Sequence, residues 1–340
     1  MTLATPPDRT LLASLGWAPF FADQMAPGEA GLAPVRIVSV HRHRLGGMAG
    51  EGPVELVLPP HASTGDYAVG DWVLADPGTL DARRRLERRT LIERRLGNGA
   101  TQLGGANIDT LFIVTSCNGD FNTARLERYL ALANQAGITP VMVLTKADTA
   151  EDAALYTGRA AELQRDLPVV VVDPRRSAAA ATLAQWCGRG QTVAVVGSSG
   201  VGKSTLVNTL TEADADGGQL TGGIRESDAK GRHTTTSRSM HPIAGGGWVI
   251  DTPGIRTLHV SDMAEGLDTV FAEITELAPQ CRFRDCTHAH EPGCAVQAAV
   301  AAGTLDPDRL ARWRKLQDEN AAKRPTQTGG AGKSGPRRRG

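Results

Sequence analysis

Gly197-Ser198-Ser199-Gly200-Val201-Gly202-Lys203-Ser204 follows the apolar run Val193 to Val196 and leads into Thr205-Leu206-Val207, the arrangement of a phosphate-binding loop between a strand and a helix. Its glycines let backbone N–H groups turn inward around phosphate oxygens, and the helix start adds its positive end. Lys203 is placed to reach the outer phosphates and Ser204 to hold Mg²⁺, with Thr205 completing the nucleotide-binding stretch. This context predicts a nucleotide-binding α/β domain.

Working downstream, the apolar strand Trp248-Val249-Ile250 delivers Asp251-Thr252-Pro253-Gly254. There Asp251 can reach Mg²⁺ through water, and the Gly254 N–H can sense a γ-phosphate. Working upstream, the strand Val141 to Leu144 runs into Thr145-Lys146-Ala147-Asp148. A carboxylate at Asp148 accepts hydrogen bonds from guanine's ring and exocyclic N–H donors, which adenine does not offer, and so selects GTP and GDP. In Ras-like GTPases the base-reading motif follows the phosphate loop, whereas here it precedes it. The G domain is therefore read as circularly permuted, which is physically tolerable because domain termini often lie close together at the surface.

Between Ile108 and Val196 strand and helix patterns alternate: Leu111–Thr115, Thr123–Gln135, Val141–Leu144, Asp152–Arg165 and Val169–Val172, the texture of a parallel α/β domain. Before it, the short β-rich runs Val35–Val38, Val54–Leu58 and Trp72–Leu74 are separated by Gly, Pro and Asp turns and suggest a small barrel. After Ser261 the pattern turns helical around a cysteine cluster. The expected organisation is an N-terminal extension at 1–33, a barrel at 34–100, the permuted G domain at 101–262, a helical metal-binding domain at 263–322 and a basic tail at 323–340. The extension is expected to be poorly ordered, apart from a Trp17, Phe20, Phe21 cluster able to dock as a short helix.

A chain of 340 residues, 41% hydrophobic and 22% charged, can bury several cores, which argues against wholesale disorder. Its formal net charge of +0 means that a nucleic-acid partner must be met by local basic patches. Arg83, Arg84, Arg85, Arg88, Arg89, Arg94 and Arg95 at the end of the barrel offer one such patch, although Asp81, Glu87 and Glu93 offset it. The tail offers another, through Lys323, Arg324, Lys333, Arg337, Arg338 and Arg339. No apolar run is long enough to span a bilayer and no secretory signal is evident, so the expectation is a cytoplasmic protein without a membrane partner. Cys281-x4-Cys286-x-His288-x5-Cys294 has the ligand set of a closed tetrahedral structural zinc site, with His290 a competing ligand on spacing alone. Cys117 and Cys187 read as buried bystanders.

Over roughly residues 35–315 the chain resembles the small-ribosomal-subunit-dependent GTPase A family. The resemblance is carried by Gly70-Asp71-Trp72-Val73, by Ala106-Asn107-Ile108-Asp109, and by Asp120-Phe121-Asn122 before Arg125-Leu126-Glu127-Arg128-Tyr129-Leu130. The permuted motifs, Gly231-Arg232-His233-Thr234-Thr235-Thr236 and the cysteine cluster complete it. It implies an N-terminal OB-fold, a permuted G domain, a C-terminal zinc domain with His288 as ligand, and GTP hydrolysis stimulated by the small ribosomal subunit late in its maturation. Contact with ribosomal RNA and action as a monomer belong to the same expectation.

The chain departs from the family pattern in two places. Thr145 stands where Asn is expected, and Val172-Asp173-Pro174 where a Ser-Ala base-supporting loop is expected; both are expected to lower nucleotide affinity and leave the fold intact. A Ras-like GTPase orients its attacking water with a Gln after Asp-x-x-Gly, and here that position is Ile255. His233 is the expected replacement, with Thr235 joining Ser204 and Asp251 around Mg²⁺. A poorly hydrolysing nucleotide-regulated scaffold is the competing reading, and a phosphate-loop kinase or ATPase is disfavoured by Asp148 and the permutation.

Overall fold

A computed structural model describes residues 9–95, 101–212, 238–251 and 263–323. His233, Thr235, Thr252, Pro253, Gly254, Ile255 and the tail beyond Lys323 lie outside the described residues.

The N-terminal segment corrects the expectation of poor order from residue 9 onward. Helices α1 (Arg9–Ser14) and α2 (Pro19–Ala22) bury Leu12, Leu15 and Phe21. Trp17 meets Trp72 edge to face at 4.8 Å, and the Trp248 indole N–H donates to the Ser14 carbonyl at 2.8 Å. The apolar bodies of these aromatics supply the driving force, and the indole N–H finds its partner in the helix end.

Strands β1 (Ala33–Val40), β2 (Leu45–Ala49), β3 (Gly52–Leu56), β4 (Trp72–Ala75) and β5 (Ala82–Arg85) form the barrel. β1 pairs with β2 and β4, β2 with β3, and β4 with β5, all antiparallel. The Val57 N–H donates to Leu80 and the Ala82 N–H to Val57, closing the end of β3 onto β5 as an OB-fold. Val35, Ile37, Leu45, Leu56, Val73 and Ala75 fill its interior. The sequence pattern missed β2, since Gly46 and Gly47 read as a turn. They are small because neighbours crowd them: a Cβ on Gly47 would lie 2.4 Å from Val35 Cγ1. A hairpin of β6 (Leu91–Arg95) and β7 (Thr101–Ala106) crosses the expected boundary at 100/101, so the all-β part extends to Ala106.

The α/β domain contains β8 (Thr110–Ser116), α3 (Thr123–Gln135), β9 (Thr139–Thr145), α4 (Ala153–Ala161), β10 (Val169–Val171), α5 (Ala178–Leu183), β11 (Thr192–Gly197), α6 (Lys203–Glu212), β12 (Arg238–Pro242) and β13 (Trp248–Asp251). Strand order is β10-β9-β8-β11-β13-β12, parallel except for β12. The chain lays down β8 to β10 first and then returns β11 to the other edge of β8, which is the permuted connectivity. β12 also pairs with β1 through Ser39↔Ser239 and Val40↔Arg238, so one 11-stranded sheet runs from the α/β domain into the barrel. Arg36 of β1, 1% exposed, bridges the same junction by donating to Leu15 and Asn107 carbonyls and to Thr192 Oγ1 at 2.8 Å. Burial lowers its pKa to about 10, which leaves it charged at neutral pH.

Helices α7 (Ala264–Val270), α8 (Ala272–Leu277), α9 (Ala295–Ala301) and α10 (Pro307–Lys323) form the C-terminal unit. Close approach of α7 to α3 requires Gly266, where a Cβ would lie 2.0 Å from the Ala131 carbonyl oxygen. Fully buried Glu127 on α3 accepts from Arg309 at 3.1 Å and Arg312 at 3.0 Å on α10. Arg309 also donates to the Leu163 and Val270 carbonyls, so the buried charges are fully engaged.

Candidate functional site

Parallel β8, β9, β10, β11 and β13 bring their C-terminal ends, and the loops after β8, β9, β10 and β11, to one edge of the sheet, where open α/β sheets place ligands. Gly197 at the end of β11, and Gly200 and Gly202 beyond it, adopt φ of 143°, 80° and 98°, which strongly favour glycine. A Cβ on Gly197 would lie 2.1 Å from the Val114 carbonyl oxygen, while Gly200 has nothing within 4 Å of that position. The loop is thus tight against the sheet at its start and open at Gly200. Val201 anchors it in the core, and Lys203 Nζ donates back to the Ser198 carbonyl. Ser199 is exposed in the loop, and Ser204 and Thr205 are exposed on the first turn of α6.

Thr145 is fully buried at the end of β9, and its hydroxyl donates to the Val201 carbonyl at 2.7 Å. The position expected to weaken the nucleotide site therefore joins the base loop to the phosphate loop. Lys146 turns the chain with φ 55°, and Ala147 and Asp148 open a short helical turn. The exposed Asp148 carboxylate lies 2.9 Å from Arg175 Nη2. Asp173 accepts from the backbone N–H, Nε and Nη2 of the same Arg175, at 3.1, 2.8 and 3.0 Å. Those bonds, led by the guanidinium, hold the Asp173 carboxyl down at about 2. Thr209 of α6 donates to the Pro174 carbonyl at 2.6 Å, so the loops after β9, β10 and β11 form one connected unit.

Asp251 ends β13, its backbone registered with Ser239, at the same edge. Its expected partners Gly254, His233 and Thr235 lie outside the described residues. Arg175 escaped the sequence reading; the one signal for it was a cationic pair, Arg175-Arg176, following Pro174.

In the C-terminal unit, the ligand atoms of Cys281, Cys286, His288 and Cys294 lie within 4.8 Å of one another. Cys281 Sγ is 3.8 Å from Cys294 Sγ, and both sulfurs are 3.5 Å from His288 Nδ1. Tetrahedral zinc with ordinary Zn–S and Zn–N lengths needs about 3.8 Å between sulfurs and about 3.5 Å between sulfur and nitrogen, so this donor set fits the metal. His290 is exposed and outside the cluster. Glu291 shapes the ligand loop by accepting from the N–H groups of Thr287, Ala289 and His290. The Thr287 hydroxyl, its leading partner, helps hold its carboxyl well below the usual carboxylate range. Cys117 and Cys187 are buried elsewhere.

The arginine run is largely committed to the protein itself. Arg84 pairs with Glu29, Arg88 with buried Asp71, Arg89 with Asp109, and Arg83 with Asp76 and Asp81. Arg85 donates to the Leu86 carbonyl. These bonds tie the N-terminal segment, barrel and α/β domain together, and they reduce the basic surface that the bare sequence suggests for RNA.

The model of the RsgA GTPase family matches residues 85–261. The chain is 65% identical over 330 residues to the small ribosomal subunit biogenesis GTPase RsgA of Mesorhizobium japonicum, covering 97% of this chain and 95% of that one. It is 46% identical over 313 residues to the small ribosomal subunit biogenesis GTPase RsgA 2 of Vibrio vulnificus, covering 91% and 88%. Among solved structures, YjeQ from Thermotoga maritima matches with TM-score 0.63 at 24% identity, over 86% of this chain and 100% of that one. YloQ, a circularly permuted GTPase, matches with TM-score 0.61 at 20% identity, over 88% and 99%.

Proposed function

The chain belongs to the RsgA GTPase family and is a GTP phosphohydrolase, and from that premise we propose that it binds the small ribosomal subunit and hydrolyses GTP to time a late step of its maturation. The observation that carries this reading is the convergence of the phosphate loop, Asp148 and the end of β13 at one sheet edge, reached in permuted order. Backbone N–H groups of Gly197 to Gly202 and Lys203 receive the phosphates, and Asp148 takes guanine's N–H donors. Ser204, Asp251 and Thr235 are the proposed holders of Mg²⁺, which when bound neutralises charge across the β- and γ-oxygens. His233 is the proposed orienter of the attacking water, and Gly254 the sensor of the γ-phosphate.

The domain limits follow the same reading: an OB-fold to Ala106, the permuted G domain to about residue 262, and a zinc-held C-terminal unit. Cys281, Cys286, His288 and Cys294 hold one structural zinc in this account, because their spacing matches a closed tetrahedral shell. Among the described residues no helix is long and apolar enough to cross a membrane. We place the protein in the cytoplasm as a monomer, with ribosomal RNA met by the barrel, the C-terminal unit and the basic tail.

Nucleotide competition tests the base assignment. GTP and GDP should displace a fluorescent GDP analogue, while ATP at equal concentration should not. Displacement by both purines would reject Asp148 as the selecting group.

A further inference from the structure

We propose that Arg175 is a specificity-determining residue of the guanine site, its guanidinium reading the O6 acceptor of the base beside Asp148, which reads the N–H donors. The inference rests on Asp148 being the base-reading carboxylate, and it concerns the opposite edge of the same base.

The loop after β10 is poor in backbone donors where a base oxygen needs them. Pro174 has no N–H, and the Arg175 N–H is already donated to Asp173 Oδ1 at 3.1 Å. Asp173 is ionised and supplies only acceptors, which would repel a carbonyl oxygen. The side-chain donors of this loop are the Arg175 and Arg176 guanidinium groups; both pair with Asp173, and it is Arg175 that also reaches Asp148.

That side chain is also in the right company. In guanine, O6 sits on the carbon next to N1–H, so the groups that read the two must be neighbours. Arg175 Nη2 and Asp148 Oδ2 are 2.9 Å apart, and both side chains are more than half exposed. An arginine fork is a well-suited donor to guanine O6.

The arrangement is prepared before a nucleotide arrives. Asp173 holds Nε and Nη2 of Arg175 in a bidentate grip, Thr209 of α6 holds the Pro174 carbonyl, and a Cβ on Gly202 would lie 3.1 Å from Pro174 Cγ. The Arg175 loop is thereby fixed to the phosphate loop. When guanine enters, Asp148 exchanges Arg175 for N1–H and the exocyclic amine, and Arg175 keeps Asp173 while turning its released N–H to O6. Each charged group keeps hydrogen-bond partners: Arg175 its pairing with Asp173, and Asp148 the two N–H donors of the base. Adenine fails at both groups, offering Asp148 no N1–H and Arg175 an amine in place of an acceptor.

The test uses the full chain with Arg175→Ala, Arg175→Lys and Asp148→Asn, titrated with GDP, 6-thio-GDP, XDP and ADP by calorimetry. The 6-thio analogue keeps both N–H donors but has a poor acceptor at position 6. Arg175→Ala should weaken GDP about 10- to 100-fold and abolish the wild-type preference for GDP over 6-thio-GDP, with part of both effects rescued by Arg175→Lys. Unchanged or tighter GDP binding, or an undiminished preference over 6-thio-GDP, would overturn the proposal and leave Arg175 as a surface ion pair. Asp148→Asn reports on the underlying assignment separately. It should trade GDP for XDP, and if it does not, Asp148 is at fault whatever Arg175→Ala does.

Discussion

The Thr145 hydroxyl donates to the Val201 carbonyl oxygen across 2.7 Å, so the residue that begins the base loop is bonded directly to the middle of the phosphate loop. An asparagine amide is expected at this position in the family, and a hydroxyl that reaches the neighbouring loop makes a link that does not depend on the amide. The proposed base and phosphate contacts are then joined by one buried bond.

Replacing Thr145 with Val keeps the shape and removes the donor, leaving the Val201 carbonyl without this partner. The expected cost is about 1–3 kcal/mol, shared between folding stability and nucleotide binding. GDP and inorganic-phosphate-bearing analogues without a base should both bind more weakly by calorimetry. Thr145→Ser should stay near wild type. Loss confined to guanine discrimination would count against a coupling role.

The junction between the G domain and the C-terminal unit depends on buried Glu127 and its two arginines. Arg309→Met removes donors to Glu127, Glu273, Leu163 and Val270 at once and should destabilise the junction by about 3–5 kcal/mol, because a buried carboxylate loses much of its compensation. Thermal unfolding should show a lowered first transition. The variant Arg84→Met, which breaks a solvent-accessible pair with Glu29, should unfold much closer to the wild type by the same measurement.

Metal analysis of protein purified without chelator should give one zinc per chain, since Cys281, Cys286, His288 and Cys294 form a single cluster among the described residues. Chelation, or Cys286→Ser, should melt the C-terminal helices at lower temperature and leave GDP binding intact, because the ligands lie on a different unit from β11 and α6. A zinc content near zero would remove the metal from the account.

What the sequence discloses depends on whether partners are close along the chain. The phosphate loop, the order of Asp148 before Gly197, and the cysteine spacing are local strings, and each could be read without knowing the fold. β2 was hidden because Gly46 and Gly47 imitate a turn and are explained only by the neighbouring β1 residues that crowd them. The arginine run reads as an RNA surface in the sequence because its partners Glu29, Asp71 and Asp109 lie outside the run, and nothing in the string shows that the fold brings them to Arg84, Arg88 and Arg89. The docking of the N-terminal segment is likewise a tertiary fact: Trp17 needs Trp72, and Ser14 needs Trp248. Thr145 was legible as a departure from pattern, but its bond to Val201 exists only once β9 and β11 both flank β8.

β13, which leads to Asp251, is hydrogen-bonded to β12, and β12 to β1 of the barrel, so a strand ladder connects the nucleotide edge to the proposed RNA-binding unit. Docking of the barrel on the small subunit should therefore reach the nucleotide site. The most direct test is steady-state GTP hydrolysis titrated with purified small subunits and, separately, large subunits, for the wild type and His233→Ala. The account predicts low intrinsic turnover, a rise with small subunits alone, and loss of that rise in His233→Ala with GTP and subunit binding retained. Equal stimulation by both subunits, or none by either, would contradict the central claim; unchanged stimulation in His233→Ala would remove only that residue.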